Sequence, residues 1–123
     1  MEKVENYSFR KVVNALEKGY LEVDVPAYGV VEKVGMYFAQ GQHFDLHVNP
    51  VIVQSGSHIV NPLIIYADGS DSYISGDNLY IERRTLRQVT PGDKIRVEYE
   101  SVDAVNSMNL VVDVEVLYDV FSK

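Results

Sequence analysis

The last third of the chain alternates apolar and polar residues with a period of two, so it can fold only by burying one face of a sheet. In Lys94 to Val102, Ile95, Val97 and Tyr99 interleave with Arg96, Glu98 and Glu100. The three apolar side chains therefore share one side of an extended strand. From Met108 the even positions Met108, Leu110, Val112, Val114, Val116, Tyr118 and Val120 continue the pattern, with Asp113, Glu115 and Asp119 on the other face. The polar loop Asp103 to Ser107 joins the two strands into a hairpin, Lys94 to Val102 and Asn109 to Phe121. Faces of this kind are buried only against a second layer, which predicts a sandwich or barrel of antiparallel strands.

The same alternation runs upstream. Leu21, Val23 and Val25 alternate with Tyr20, Glu22 and Asp24, and Pro26 stops that strand because it offers no ladder donor. Val30 to Ala39 follows, and Gly41 turns the chain into Phe44 to Val53, where Pro50 marks an edge position or a break in the ladder. Ile59 to Tyr66 crosses Asn61-Pro62, and its run Leu63-Ile64-Ile65-Tyr66 predicts a central strand buried on both faces. The turn clusters Asp68-Gly69-Ser70-Asp71 and Ser75-Gly76-Asp77-Asn78 bracket the short piece Ser72 to Ser75 as a hairpin. Asn78 to Val89 is a long strand, and Thr90-Pro91-Gly92-Asp93 sets proline and glycine where a tight turn requires them.

The N-terminal segment has two readings. Phe9, Val12, Val13 and Leu16 sit at helix spacing, Ser8 is placed to cap the start and Gly19 to end it. The rival is an extended strand over Tyr7 to Val13, because β-branched Val12 and Val13 are mediocre helix formers. The expected fold is all-β, an antiparallel β-sandwich of about eight strands with a short N-terminal helix or arm. It forms one domain over residues 1–123, with 1–19 as the helix or arm and 20–121 as the sandwich.

At 123 residues the chain is long enough for a single core. Eighteen acidic against eleven basic side chains give a formal charge of -7, which repels nucleic-acid backbones and anionic lipid surfaces. Neither nucleic acid nor membrane is expected as a partner. With no cysteine, thiolate nucleophiles, disulfides and sulfur-ligated metals are excluded. The start Met1-Glu-Lys-Val-Glu-Asn has no basic, apolar signal-peptide pattern, and no stretch approaches the roughly 20 apolar residues of a spanning helix. Synthesis in a host cytoplasm is expected.

Several clusters invite a chemical reading. On a strand, His43, Asp45 and His47 would share one face and suit a transition metal; the alternative is the wet side of a half-buried strand. Without a further carboxylate or histidine at short spacing, that alternative is preferred. Asp68, Asp71 and Asp77 supply oxygen ligands of the kind calcium uses, but not at EF-hand spacing, and such clusters are ordinary turn chemistry. No metal or other cofactor is therefore expected. Arg83, Arg84 and Arg87 form the one basic concentration; on a strand Arg83 and Arg87 share a face that Arg84 does not, so they suit carboxylate pairing within the protein or across an interface. The nine tyrosines supply rigid amphipathic contact area. The candidate interaction residues are Phe9, Tyr28, Tyr37, Tyr73, Tyr80, Arg83, Arg84 and Arg87. No nucleophile elbow, phosphate-cradling loop or dinucleotide fingerprint is present, so no enzyme is expected.

The eight-strand pattern, the Thr90-Pro91-Gly92-Asp93-Lys94 turn and the long closing strand Asn109 to Phe121 together resemble small single jelly-roll proteins of virus particles. The likeness is to capsid decoration, cement or vertex proteins of bacteriophages. It implies a jelly-roll-like sandwich and a virion location. It also implies a structural subunit in symmetric copies, trimeric or pentameric, that locks onto a larger protein shell. Edge strands and an N-terminal clasp, Met1 to Asn14, would make the contacts, and deleting the clasp should leave a folded core without oligomers. The alternative is a carbohydrate- or receptor-binding module whose site is formed by Tyr28, Tyr37, His43, His47 and the Asp68 to Asp77 loops. A His-rich cupin-like enzyme ranks last, since His43 and His47 supply only part of its metal set.

Overall fold

The computed structural model describes residues 2–64 and 73–119. Eight strands follow in order: β1 (Glu2–Val13), β2 (Lys18–Asp24), β3 (Gly29–Phe38), β4 (Leu46–Val53), β5 (Val60–Pro62), β6 (Leu79–Val89), β7 (Lys94–Ser101) and β8 (Met108–Asp119). They form two antiparallel four-stranded sheets, ordered β1-β8-β3-β6 and β2-β7-β4-β5. The pairings β1 with β8, β2 with β7, β3 with β6 and β4 with β5 describe one long hairpin doubled back on itself. β3 with β8 and β4 with β7 then roll it into two layers. This is the jelly-roll order, two Greek keys in a double sheet.

The core lies between the sheets. Phe9, Val13, Val31, Val34, Met36, Phe38 and the even residues Met108 to Tyr118 come from one sheet; Leu46, Val48, Ile52, Ile95, Val97 and Tyr99 come from the other. The alternation in the last third is thus the interior face of β7 and β8, as its period predicts. Val120 and Phe121 lie outside the described residues.

Three expectations change. No helix occurs among the described residues, and the N-terminal segment is the rival strand: β1 pairs with β8 over its whole length. It is neither a helix nor a detachable clasp, because Phe9 and Val13 sit in the core. Phe9 is therefore a packing residue and leaves the list of surface contacts. The segment around Asn61-Pro62 is not central either: β5 is a three-residue edge strand, with Leu63 and Ile64 buried just beyond it. Ile65 and Tyr66 lie outside the described residues.

Pro50 interrupts a ladder, as read. The Leu63 N–H donates to the Pro50 carbonyl at 2.9 Å, but proline has no N–H to return the bond. Pairing on that side of β4 divides there into the short β5 ladder and a lone bridge from Val48 to Ile74. The proline-glycine turn also forms. Asp93 N–H donates to the Thr90 carbonyl at 3.1 Å, and Gly92 has φ +93°, the sign a type II turn requires at that position. Asp93 is the staple of this end of the sandwich. Its buried carboxylate accepts from the Thr90 N–H and the Ser55 N–H, each at 2.9 Å.

Candidate interaction surfaces

The opposite end gathers the loops β1–β2, β3–β4 and β7–β8 and residues 76–78 just before β6, sewn together by backbone bonds. Leu16 N–H donates to the Asp103 carbonyl, Val102 N–H to that of Asp45 and Phe44 N–H to that of Gly76, at 3.0 to 3.2 Å. Asp77 accepts from the Gly41 and His43 N–H groups at 2.9 and 3.2 Å. Asp103 folds the β7–β8 loop over itself, accepting from Val105 and Asn106 at 2.7 and 2.8 Å. Those backbone donors hold its carboxyl below the ordinary range. Glu17 is likewise depressed, first by the Asn14 N–H at 2.8 Å, against a desolvation that raises it, and then by Lys11.

This tightly sewn end presents large apolar side chains to solvent. Leu16, Phe44 and Val102 are exposed, and Val105 is 82% exposed. Two of the four stand on left-handed backbone, Leu16 at φ 60° and Phe44 at φ 63°. Phe44 follows His43 at φ 53° in a turn closed by the Asp45 N–H on the Gln42 carbonyl at 2.9 Å. Asparagine and glycine are the usual residues of such a turn; a bulky residue there costs roughly 1–2 kcal/mol.

This turn also undoes the proposed face of His43, Asp45 and His47. The first two precede β4, where His43 lies 3.4 Å from Asp77, while His47 is on the strand and stacks on Tyr73 at 3.6 Å between ring centroids. Among the described residues no three His, Asp or Glu side chains gather as metal ligands. Asp68 and Asp71 lie outside the described residues.

A second surface is the outer face of the β2-β7-β4 layer. Register sets Lys18, Glu100 and His47 in one row and Tyr20, Glu98 and Asn49 in the next. With Tyr73 these residues line a groove of about 470 Å³. One wall is Tyr20, which carries the Arg96 guanidinium 4.1 Å from its ring centre. The other is the His47–Tyr73 stack, parallel to within 4°. Arg96 also pairs with Glu22 at 3.0 Å and with Glu98 at 3.7 Å. On the inner side of the same sheet Gly19 leaves room for the Tyr99 ring, since a Cβ there would stand 2.8 Å from the phenol oxygen.

The third is the β6 edge. Arg87 lies opposite Val31 and Arg83 opposite Val34, on the inner side, while Arg84 lies opposite Lys33 on the outer side; a register shift separates the two stretches. Inward-facing charge and a bulge blunt an edge against strand addition. No ion pair of these arginines forms among the described residues. Tyr80 lies over Gly35 on the outer face beside Glu82, and its phenol is raised by burial and then by Glu82. Tyr28 and Tyr37 are exposed but line neither this groove nor the loop end. Of the sequence-picked residues, Tyr73 and His47 share the groove. Sequence reading missed Leu16, Tyr20, Val102, Glu98 and Glu100; the outward phase of β2 and β7 was the available signal for Tyr20 and the two glutamates.

No protein-family model matches the chain, and no curated protein matches it. Solved structures do. One is from infectious bursal disease virus, Gt strain, at 10% identity and a TM-score of 0.50, covering 95% of this chain and 32% of that one. Another is the CBM32-1 module of a family 31 glycoside hydrolase from Clostridium perfringens, at 11% identity and TM-score 0.49, covering 92% of both chains. The Drosophila NLP core follows at 8% identity and TM-score 0.46, covering 94% of this chain and 99% of that one. The chain spans about a third of the viral chain it matches. At 10% identity the likeness to the viral structure is one of fold alone; this chain is an all-β, eight-stranded, jelly-roll-like sandwich in its described residues.

Proposed function

We propose that the chain is a non-enzymatic structural subunit of a virus particle, a capsid decoration, cement or vertex protein that docks on a larger protein shell and acts in symmetric copies. The observation that carries this reading is the loop end. Leu16, Phe44, Val102 and Val105 hold apolar surface in water, two of them on backbone that costs energy to maintain. Packing inside the chain does not explain that expense; burial against a partner does. Asp45, Asp77 and Asp103 stand among these residues, so the complementary surface is apolar with basic groups at its rim. Strand addition, if used between copies, goes through β1, whose ladder with β8 runs without a register shift, rather than through the blunted β6. The jelly-roll order is consistent with this use, since the fold serves in viral capsids.

The test is co-sedimentation with particles assembled from the genome that encodes the sequence. The wild-type chain should travel with the particles, and Leu16→Asp with Val105→Asp should not, at an unchanged melting temperature. A chain that never associates with particles overturns the reading. The competing reading, a carbohydrate- or receptor-binding module outside any particle, predicts that outcome.

A further inference from the structure

We infer that the groove on the outer face of β2, β7 and β4 is a binding site for a neutral saccharide, independent of the loop end and of any particle. The shape comes first. At about 470 Å³ the groove falls within the range of small-molecule sites. Its two walls are aromatic, Tyr20 on one side and the parallel His47–Tyr73 pair on the other. Flat rings of this kind pack on the C–H faces of a pyranose while leaving its hydroxyls to the floor. Tryptophan would offer a larger platform; the face-to-face stack of His47 on Tyr73 instead holds the outer ring of the pair flat against the groove.

The floor supplies both hydrogen-bonding senses. Asn49 donates and accepts, Glu98 and Glu100 accept, and Lys18 donates. Adjacent hydroxyls of a sugar need this mixture, and an apolar ligand would leave it unpaired.

Charge then selects among polar ligands. Lys18 lies directly opposite Glu100, and Arg96 reaches Glu98 at 3.7 Å from outside the groove while held more closely by Glu22 at 3.0 Å. The lining thus carries at most one net negative charge, on a chain of formal charge -7. A cation would have to enter beside the Lys18 ammonium, and a polyanion would meet two carboxylates plus the field of the whole protein. A neutral polyhydroxyl ligand meets neither penalty.

The walls are preorganised. Tyr20 is held by Arg96, itself anchored on Glu22. The strand rows fix Asn49, Glu98 and Glu100 across central strands β4 and β7. Little ordering cost remains for binding.

The experiment is a glycan array carrying neutral and acidic oligosaccharides, followed by calorimetry on the best neutral hit. Tyr20→Ala and Tyr73→Ala should each weaken binding by about tenfold or more, and Glu98→Gln with Glu100→Gln should weaken it further. Tyr28→Ala and Tyr37→Ala, outside the groove, should leave it unchanged. Unaltered melting curves for the groove variants show that the fold persists, and a Tyr73→Phe variant that keeps affinity serves as a second check, since it retains the ring. The inference is overturned if no neutral oligosaccharide binds at millimolar concentration, if only acidic glycans bind, or if binding persists in both alanine variants. Loss of docking in the Leu16→Asp, Val105→Asp protein with sugar binding intact would separate this site from the loop end.

Discussion

Alanine substitution of the neighbours Val12 and Val13 separates the strand from the helix at the N-terminus with a single pair of proteins. On a helix the two valines would share the apolar face with Phe9 and Leu16. On β1 they face opposite ways: Val13 is 0% exposed and lies opposite Met108, whereas Val12 is 56% exposed and lies opposite Asn109. Val13→Ala removes two buried methyl groups at about 0.8 kcal/mol each. The hole they leave among packed neighbours adds a cavity cost, for a total of about 2–3 kcal/mol. For a domain of this size that lowers Tm by about 10 °C. Val12→Ala removes surface already in water, and its cost should stay within about 0.5 kcal/mol. Urea titrations followed by circular dichroism give both values, and Phe9→Ala, at about 3–5 kcal/mol, marks the upper end of the same face. Equal costs at positions 12 and 13 would refute the strand, its register and the placement of the N-terminus in the core. By the same reasoning, deleting residues 1–14 should unfold the domain rather than release a clasp.

Asp93→Ala should cost about 1–3 kcal/mol by chemical denaturation, because the Thr90 and Ser55 N–H groups lose their charged acceptor; an unchanged midpoint would mean the far end does not depend on this staple. Phe44→Gly should hold or raise stability by up to about 1 kcal/mol, since glycine relieves the left-handed backbone, while weakening particle association in a sedimentation assay. Glu17 and Asp103 titrate below their unfolded values. Their contribution is thus fully present above the ordinary carboxylate range near pH 4 and fades as pH falls through the lower folded values. Hydrogen exchange should therefore show the β1–β2 and β7–β8 loops opening on acidification, and loops that tighten instead would contradict the sign.

The parts of the fold legible in the sequence are those where one face is buried and the other wet. β7 and β8 meet that condition along their length, and the proline-glycine turn announces itself through backbone chemistry that few residues satisfy. β1 hides the same alternation. Its inner positions include Lys11, opposite buried Leu110; the Lys11 ammonium lies over the Tyr99 ring and reaches Glu17 at 3.2 Å. A lysine in an inward row breaks the pattern although its aliphatic stem packs, and the helix spacing of Phe9, Val12, Val13 and Leu16 then takes over. The β5 segment misleads differently: burial of Leu63 and Ile64 comes from chain passing the core beyond an edge strand that Pro62 ends. The groove was illegible because Tyr20, Asn49 and Glu98 come from three separate strands and become neighbours only through the register of β2, β7 and β4. The loop end was illegible for a related cause, since a left-handed Leu16 or Phe44 carries no signature residue that local sequence could betray.

Docking through the loop end is tested most directly by mixing purified wild-type chain, and the Leu16→Asp, Val105→Asp variant, with particles assembled from the encoding genome without this chain, then imaging them by electron microscopy. Regularly spaced density with the loop end against the shell for the wild type, and bare shells for the equally stable variant, is the predicted result. Density seated by another face of the sandwich, or equal decoration by the variant, would contradict it.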